Sequence, residues 1–144
     1  MNIEDVTVVT DELVEELGRL MTQLSQSASP LTHEELQQIV DAEGIYLLVA
    51  KDSENVVGTL TLVLFRIPTG VRAWIEDVVV DELARGLGIG KALSRRALVL
   101  AKENGARTVD LTSRPSREAA NHLYQRLGFK PRNTNVYRYL LESN

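Results

Sequence analysis

The 144-residue sequence contains no cysteine. This absence excludes disulfide bonds, thiolate metal ligands and a cysteine nucleophile. The chain also has no apolar run near the roughly 18 residues that cross a bilayer, and its first ten residues do not resemble a signal peptide. Aromatic residues make up only 5% of the chain. Length and composition predict one domain over residues 1–144, soluble and cytoplasmic, without a metal site or membrane contact.

Acidic and basic side chains are distributed unequally along the chain. Residues 1–82 carry 16 acidic and 4 basic side chains, whereas residues 83–144 carry 4 and 12. The balances of −12 and +8 favour an anionic ligand at the second half, with chance clustering of solvated charges as the alternative. Because the basic residues are dispersed and aromatics are few, we expect a phosphorylated small molecule rather than nucleic acid.

Hydrophobic periodicity predicts an α+β (α/β) fold with the order β-α-α-β-β-β-α-β-α-β. The unit at 72–113 predicts one parallel strand pair within an otherwise antiparallel sheet. The predicted elements are a strand at 6–10, helices at 11–24 and from Thr32, strands at 45–51, 56–67 and 72–81, a helix from Ile89 to Asn104, a strand at 107–113, a helix from Pro115 to Gly128 and a strand at 134–141.

The segment ARGLGIGKAL, residues 84–93, places three glycines at every second position ahead of a helix. It does not match the dinucleotide fingerprint, because Lys91 stands where the third glycine is required. It does not match the P-loop either, because Arg85 and Ala92 occupy the first glycine and final hydroxyl positions. The free amides and dipole of a helix N-terminus could still bind phosphates. A tight turn whose glycines serve packing is the alternative.

Two segments resemble the GNAT superfamily of N-acyltransferases. VVVDELARGLGIGKAL, residues 78–93, resembles the acetyl-CoA-binding segment, in which Arg85, Gly88 and Gly90 match the family signature. AANHLYQRLGF, residues 119–129, resembles a later helix of the same family. The resemblance covers nearly the whole chain. It implies a three-layer fold with helices on both faces of the sheet, and transfer of acetyl from acetyl-CoA to a primary amine of a small molecule or protein.

The resemblance also implies where acetyl-CoA lies, namely where the strands at 72–81 and 107–113 separate. The implied contacts are the backbone of the first strand, the loop amides with their basic flanks, and one side-chain amide. These positions are Val78, Val79, Val80, Arg85, Gly86, Leu87, Gly88, Ile89, Gly90, Lys91 and Asn121.

Acetyl transfer needs a neutral amine, and a primary amine with a pKa of about 10.4 is almost fully protonated at pH 7, so a general base is useful. Glu76 is predicted as this base, acting directly or through water. Strand alternation places Trp74, Glu76, Val78 and Val80 on one face, so Glu76 would be partly desolvated among apolar neighbours. The resemblance implies the same role for Glu76. A charged residue on the solvent face of a strand is the alternative.

The resemblance implies Tyr124 as the general acid that protonates the departing sulfur, with a tyrosine packed against the sheet as the alternative. Without cysteine, direct attack by the amine is predicted. Trp74, Asp77 and Arg114 are further candidates for acceptor binding, with core packing as the alternative for Trp74 and contact with the CoA arm as the alternative for Arg114. The Glu76-Asp77 pair resembles the corresponding strand of diamine and polyamine acetyltransferases. A non-catalytic acetyl-CoA-binding regulatory module is the competing function. A homodimer is left open.

Overall fold

The computed structural model describes residues 1–27 and 29–141. Contacts divide the chain into two compact units, Met1–Thr112 and Ser113–Asn144. The single-domain assignment of residues 1–144 stays a prediction. The helices and strands are β1 (Asn2–Asp5), α1 (Asp11–Leu24), α2 (His33–Asp41), β2 (Ile45–Asp52), β3 (Asn55–Ile67), β4 (Gly70–Val80), α3 (Ile89–Glu103), β5 (Ala106–Asp110) and α4 (Glu118–Arg126), with a 3-10 turn at Glu82–Ala84.

The first unit is built on a five-stranded sheet with the order β1-β2-β3-β4-β5. Neighbouring strands from β1 to β4 pair antiparallel as a meander, and the pairings among β2, β3 and β4 confirm the predicted antiparallel part of the sheet. β4 and β5 pair parallel, which confirms the predicted strand–helix–strand unit. The sheet is therefore mixed and mostly antiparallel. No helix in the described ranges 1–27 and 29–141 is long and apolar enough to cross a membrane.

Helices cover both faces of this sheet. On one face, α1 and α2 bury Leu17, Leu20 and Leu36 in a cluster with Leu47 and Val49 of β2. Both helices begin at threonine N-caps, and the second has a capping box in which Thr32 and Glu35 each accept a hydrogen bond from the other's backbone amide. These side chains are almost fully removed from water, and burial of each leucine contributes about 1.5–3 kcal/mol.

On the opposite face, α3 packs against β3. Its buried side chains recur at helical spacing along one face: Ile89, Leu93, Ala97, Leu100 and Ala101. The approach is close at Gly58 of β3, where an added Cβ would lie 2.8 Å from Cγ2 of Ile89. The fold of this unit thus has three layers: α1 with α2, the sheet, and α3.

Two predicted strands are wrong. The first strand is Asn2–Asp5 rather than 6–10, and it pairs antiparallel with β2. Its sequence is mostly polar, so backbone pairing with β2 outweighs its weak β-propensity. Residues 134–141 form no strand in this structure, although their apolar pattern predicted one. An apolar run specifies a strand only where it also gains hydrogen bonds from a neighbouring backbone edge.

Two further boundaries differ from the sequence prediction. β5 ends at Asp110 instead of residue 113. α4 begins at Glu118 rather than at Pro115, because Ser116 supplies no cap and a turn bond from Arg117 N–H to Arg114 O comes first.

Gly58→Ala should lower the free energy of unfolding by about 1–3 kcal/mol, because the new methyl group forces α3 away from the sheet. Chemical denaturation followed by circular dichroism measures this change. Gly18→Ala on α1 is the matched control, since its Cβ meets nothing within 4 Å. We expect that variant to gain about 0.5–1 kcal/mol from helix propensity. Equal midpoints for Gly58→Ala and the unsubstituted protein would contradict the close packing of α3.

Candidate active site

The parallel pairing of β4 with β5 covers only part of β4. The paired positions run from Val71 opposite Ala106 to Trp74 opposite Asp110. β4 continues to Val80, still paired with β3 on its other side. The β5-facing backbone edge of residues 75–80 therefore has no strand partner in the described structure. This opening lies where the sequence predicted that the two strands separate.

A one-residue β-bulge interrupts β4 within the opened stretch. Thr61 of β3 lies opposite Glu76, whereas Thr59 lies opposite Val79, so β4 has one extra residue between these pairs. Asp77 lies in the bulge with φ +50°, a left-handed conformation that aspartate tolerates better than most residues. A β-bulge re-aims the side chains that follow it.

The bulge corrects the prediction that Trp74, Glu76, Val78 and Val80 share one face. Cross-strand partners point to the same face, so Trp74 and Glu76 share their face with Val79 instead. Val79 belongs to the cluster under α1 and α2, which identifies this as the α1–α2 face. Val80 lies opposite Gly58 and therefore points to the α3 face.

The two carboxylates of β4 are open to solvent. Glu76 and Asp77 are both exposed, and Trp74 and Val78 are partly buried. The partial desolvation expected for Glu76 is therefore absent in this structure. Apolar residues surround the Glu76-Asp77 pair in the sequence, but the Glu76 side chain has solvent on its own side of the strand.

The glycine loop follows β4 through the 3-10 turn. Gly86 and Gly88 have φ of +84° and +79°, and an added Cβ at either would meet nothing within 4 Å. Gly88 is the N-cap of α3 and supplies no side-chain cap, and the first internal bond of the helix runs from Ala92 N–H to Gly88 O.

The loop leaves its backbone donors free. No turn, cap or side-chain hydrogen bond of the described chain uses the N–H groups of residues 86–91. Arg85 and Lys91 are exposed at the two ends of this segment. Free amides, the positive end of a 15-residue helix and two cations together suit a diphosphate. The residues present therefore fit an anionic ligand of this kind.

The start of the 3-10 turn is held by a contact that sequence reasoning missed. Oδ2 of Asp81 accepts a hydrogen bond of 2.8 Å from Nη1 of Arg19 on α1. This bond, and then one from the Leu83 amide, hold the pKa of Asp81 below its ordinary value. The two residues are 62 positions apart, and no local pattern in the sequence connects them.

The second unit holds the other predicted residues. Tyr124 on α4 is only 7% exposed, and its ring contacts Phe129 edge-on at a centroid distance of 5.8 Å. Burial raises the pKa of Tyr124, while the positive charge of Arg117 opposes the rise. The phenol therefore keeps its proton at neutral and mildly alkaline pH, as a proton donor requires.

Asn121 and Arg114 are linked within this unit. Nδ2 of Asn121 donates a hydrogen bond of 3.0 Å to the backbone oxygen of Arg114. One side of the Asn121 amide is thus used to fix the turn ahead of α4. The Arg114 side chain is exposed. At the other end of α4, Gly128 has φ +106° and the Phe129 N–H bonds to Tyr124 O, which confirms the predicted helix stop.

Comparison with known proteins assigns the family. A model of the acetyltransferase (GNAT) family matches residues 10–129, a range that includes every predicted site residue. The chain belongs to the GNAT acetyltransferase family. This confirms the resemblance inferred from the glycine loop and from α4.

Individual relatives agree with the family assignment. The chain is 34% identical over 111 residues to glucosamine 6-phosphate N-acetyltransferase of Trypanosoma brucei brucei, covering 72% of this chain and 74% of that protein. It is 39% identical over 84 residues to N-acetyltransferase 8B of Homo sapiens, covering 57% of this chain and 37% of that protein. The matches to three of the curated relatives span only 26% to 48% of their lengths.

A solved structure supports the fold in the same way. The acetyltransferase of Trypanosoma brucei superposes with a TM-score of 0.77 at 27% sequence identity, covering 96% of this chain and 100% of that chain. The GNAT-like α+β fold predicted from the element order is therefore confirmed, apart from the strand at 134–141.

Proposed function

We propose that this chain is an acetyl-CoA-dependent N-acetyltransferase that moves the acetyl group directly to a primary amine. The observation that carries the proposal is the opened edge of β4, which leads through one short turn into a loop of free backbone amides. An extended amide-containing ligand arm can pair with a free strand edge, and a diphosphate can bind a helix N-terminus. Family membership supports the same activity.

The residues proposed to hold acetyl-CoA are those of the strand end and the loop. The backbone of residues 78–80 would pair with the pantetheine arm, and the amides of residues 86–91 with the diphosphate. Arg85 and Lys91 would add charge-assisted contacts. Asn121 stays a proposed contact through its amide oxygen. Acetyl-CoA supplies the acetyl group as a thioester, and every other role falls to the protein and the amine.

Glu76 is proposed as the general base. Recovering a neutral primary amine at pH 7 costs about 4.6 kcal/mol, which a positioned carboxylate helps to offset. The exposed side chain of Glu76 stands beside the opened edge of β4, on the α1–α2 face. Its exposure favours a proton path that includes water, although direct contact with the amine is also open to it.

Tyr124 is proposed as the general acid. A thiol leaves with a pKa of about 8.5, by analogy with cysteine, so a phenol that stays protonated can donate to the departing sulfur. Its burial supports this role, because burial raises the pKa of Tyr124.

The acceptor is proposed to be a primary amine of a small molecule or a protein. Glu76 and Asp77 place two exposed carboxylates at the bulge, which favours an amine that carries positive charge, including a polyamine. One relative is named for an amino-sugar phosphate, which is a small amine. Trp74 and Arg114 are proposed as further acceptor contacts. We also propose a cytoplasmic location.

The proposal is tested first by binding. The protein should bind acetyl-CoA in calorimetry, and Arg85→Ala should weaken binding by about 1.5–3 kcal/mol through loss of a charge-assisted contact. Lys102→Ala, an exposed cation in the last turn of α3, is the matched control and should bind as the unsubstituted protein does. Absence of any binding would overturn the proposal. Binding without thiol release over a panel of amines would indicate the non-catalytic regulatory module instead.

Glu76→Gln should preserve acetyl-CoA affinity and lower turnover at pH 7 by about 100-fold or more. Turnover should recover partly at high pH, where free amine is abundant. Steady-state kinetics from pH 7 to 10 measure both effects. Glu54→Gln, an exposed residue between β2 and β3, controls for loss of one negative charge. Equal turnover of Glu76→Gln and the unsubstituted protein at pH 7 would remove Glu76 from the mechanism.

Tyr124→Phe should lower turnover by roughly 10- to 100-fold, less than loss of the base, because a thiolate is a tolerable leaving group. Because the pKa of Tyr124 is raised above its ordinary value of 10.0, the phenol stays protonated up to about pH 9.5. The ratio of turnover by the unsubstituted protein to turnover by Tyr124→Phe should therefore stay constant from pH 7 to about 9.5 and fall towards one only at higher pH. Paired pH–rate profiles on one amine measure this ratio. A ratio near one throughout would make Tyr124 a packing residue.

A further inference from the structure

Asp81 is a strongly held residue shortly before the glycine loop. It follows β4 directly and is the N-cap of the 3-10 turn, four positions before Arg85. Its N–H bonds to Val57 O at 2.9 Å, and its backbone oxygen accepts from Ala84 N–H at 2.8 Å. Its carboxylate accepts from the Leu83 amide at 3.2 Å. The residue is only 7% exposed, so its own polar atoms are largely shielded from water.

One face of α1 supplies the side chains that hold this point. Glu16, Arg19 and Gln23 are spaced by three and four residues and so lie on the same side of the helix. Arg19 donates to Asp81 at 2.8 Å and to Val56 O at 3.0 Å. Gln23 accepts from the Glu82 amide at 3.1 Å. We name this set of contacts the α1 brace.

The α1 brace also fixes the start of β3. Glu16 accepts from Val56 N–H at 3.2 Å and bonds to Nε of Arg19 at 3.3 Å. Both backbone groups of Val56 are thus bound by side chains of α1. The brace joins the beginning of β3, the end of β4 and the 3-10 turn to one rigid helix.

Beyond Ala84 this support stops. In the described part of the chain, the next hydrogen bond that fixes the backbone is the first internal bond of α3, from Ala92 N–H to Gly88 O. Gly86 and Gly88 in between have the wide conformational freedom of glycine. The direction in which the loop leaves the sheet therefore depends on the brace at one end and on α3 at the other.

We propose that Arg19 and Asp81 are positioning residues for the glycine loop, and that their ion pair sets the affinity of the loop amides for the diphosphate of CoA. The inference rests on the proposed function for the identity of this anion. Neither side chain is required to contact the ligand. Loss of either one should let the 3-10 turn move and misalign the amides of residues 86–91.

Charge alone predicts a different result. Asp81→Asn removes a negative charge from the protein, so long-range electrostatics would strengthen binding of an anion. Arg19→Met removes a positive charge and would weaken it. Positioning predicts weaker binding for both variants, so the sign of the Asp81→Asn effect separates the two explanations.

The experiment is calorimetric titration of free CoA into the full chain and its variants. Asp81→Asn and Arg19→Met should each raise Kd by about 5- to 20-fold, and the double variant should be no weaker than the weaker single variant, since both act through one contact. Arg19→Lys, which keeps the charge, should recover part of the affinity. In each of these variants, turnover at saturating acetyl-CoA should change less than twofold. Amide hydrogen exchange at residues 82–91 should be faster in Asp81→Asn.

Glu4→Gln is the matched control, because Glu4 on β1 pairs with Lys51 on β2 at 3.5 Å, and neither residue belongs to α1, the loop or α3. It should keep the Kd for CoA within twofold. If the unsubstituted protein binds no CoA, the proposed function fails. If it binds and folded Asp81→Asn binds equally well or more tightly, the positioning role is overturned. Should Asp81→Asn fail to fold, Arg19→Met decides, because unchanged Kd and unchanged amide exchange at residues 82–91 in that variant would also overturn the positioning role.

Discussion

The unpaired edge of β4 is the constraint on which the rest of the site depends. Backbone N–H and C=O groups are obligatory hydrogen-bonding groups, and β5 satisfies them only as far as Trp74. Beyond that point the strand keeps its place through β3 on the other side and through the core under α1, to which Val79 belongs. The open edge is thus maintained by pairing with β3 and by burial of Val79, without a strand on the β5 side.

The parts of the fold that were predictable are those specified by local pattern. The buried face of α3 and the threonine cap of α2 follow from spacings of three and four residues. The meander of β2, β3 and β4 follows from the two-residue alternation within strands and from the turn residues between them. β1 was missed because its four residues carry little strand signal and are fixed only by pairing with β2. Residues 134–141 have the apolar pattern of a strand, but they form no strand in this structure.

The candidate site was likewise predictable only where a local sequence pattern specifies it. The glycine loop could be found because its residues are contiguous and its conformation depends on glycine itself. The side chains that follow the bulge were assigned to the wrong faces of the sheet. The extra residue at Asp77 shifts the alternation, and no residue type in the sequence predicts a bulge there. The pairing of Arg19 with Asp81 spans 62 positions, and only the packed structure joins them. Long-range contacts of this kind are set by tertiary packing, which a single sequence does not display.

The bulge in β4 has a consequence for how the gene can vary in length. Before the bulge, Ala73 and Ile75 are buried on the face that also receives Val80, and after it Val79 is buried on the other face. The strand is fixed at both ends, by pairing at Val71 and by the contact of Asp81 with Val57. Losing the codon of the extra residue at Asp77 would leave a regular strand in which Val79 still lies opposite Thr59, so both halves would keep their faces. Natural variation in the length of this strand should therefore fall at the bulge, with other insertions and deletions confined to the turns on either side.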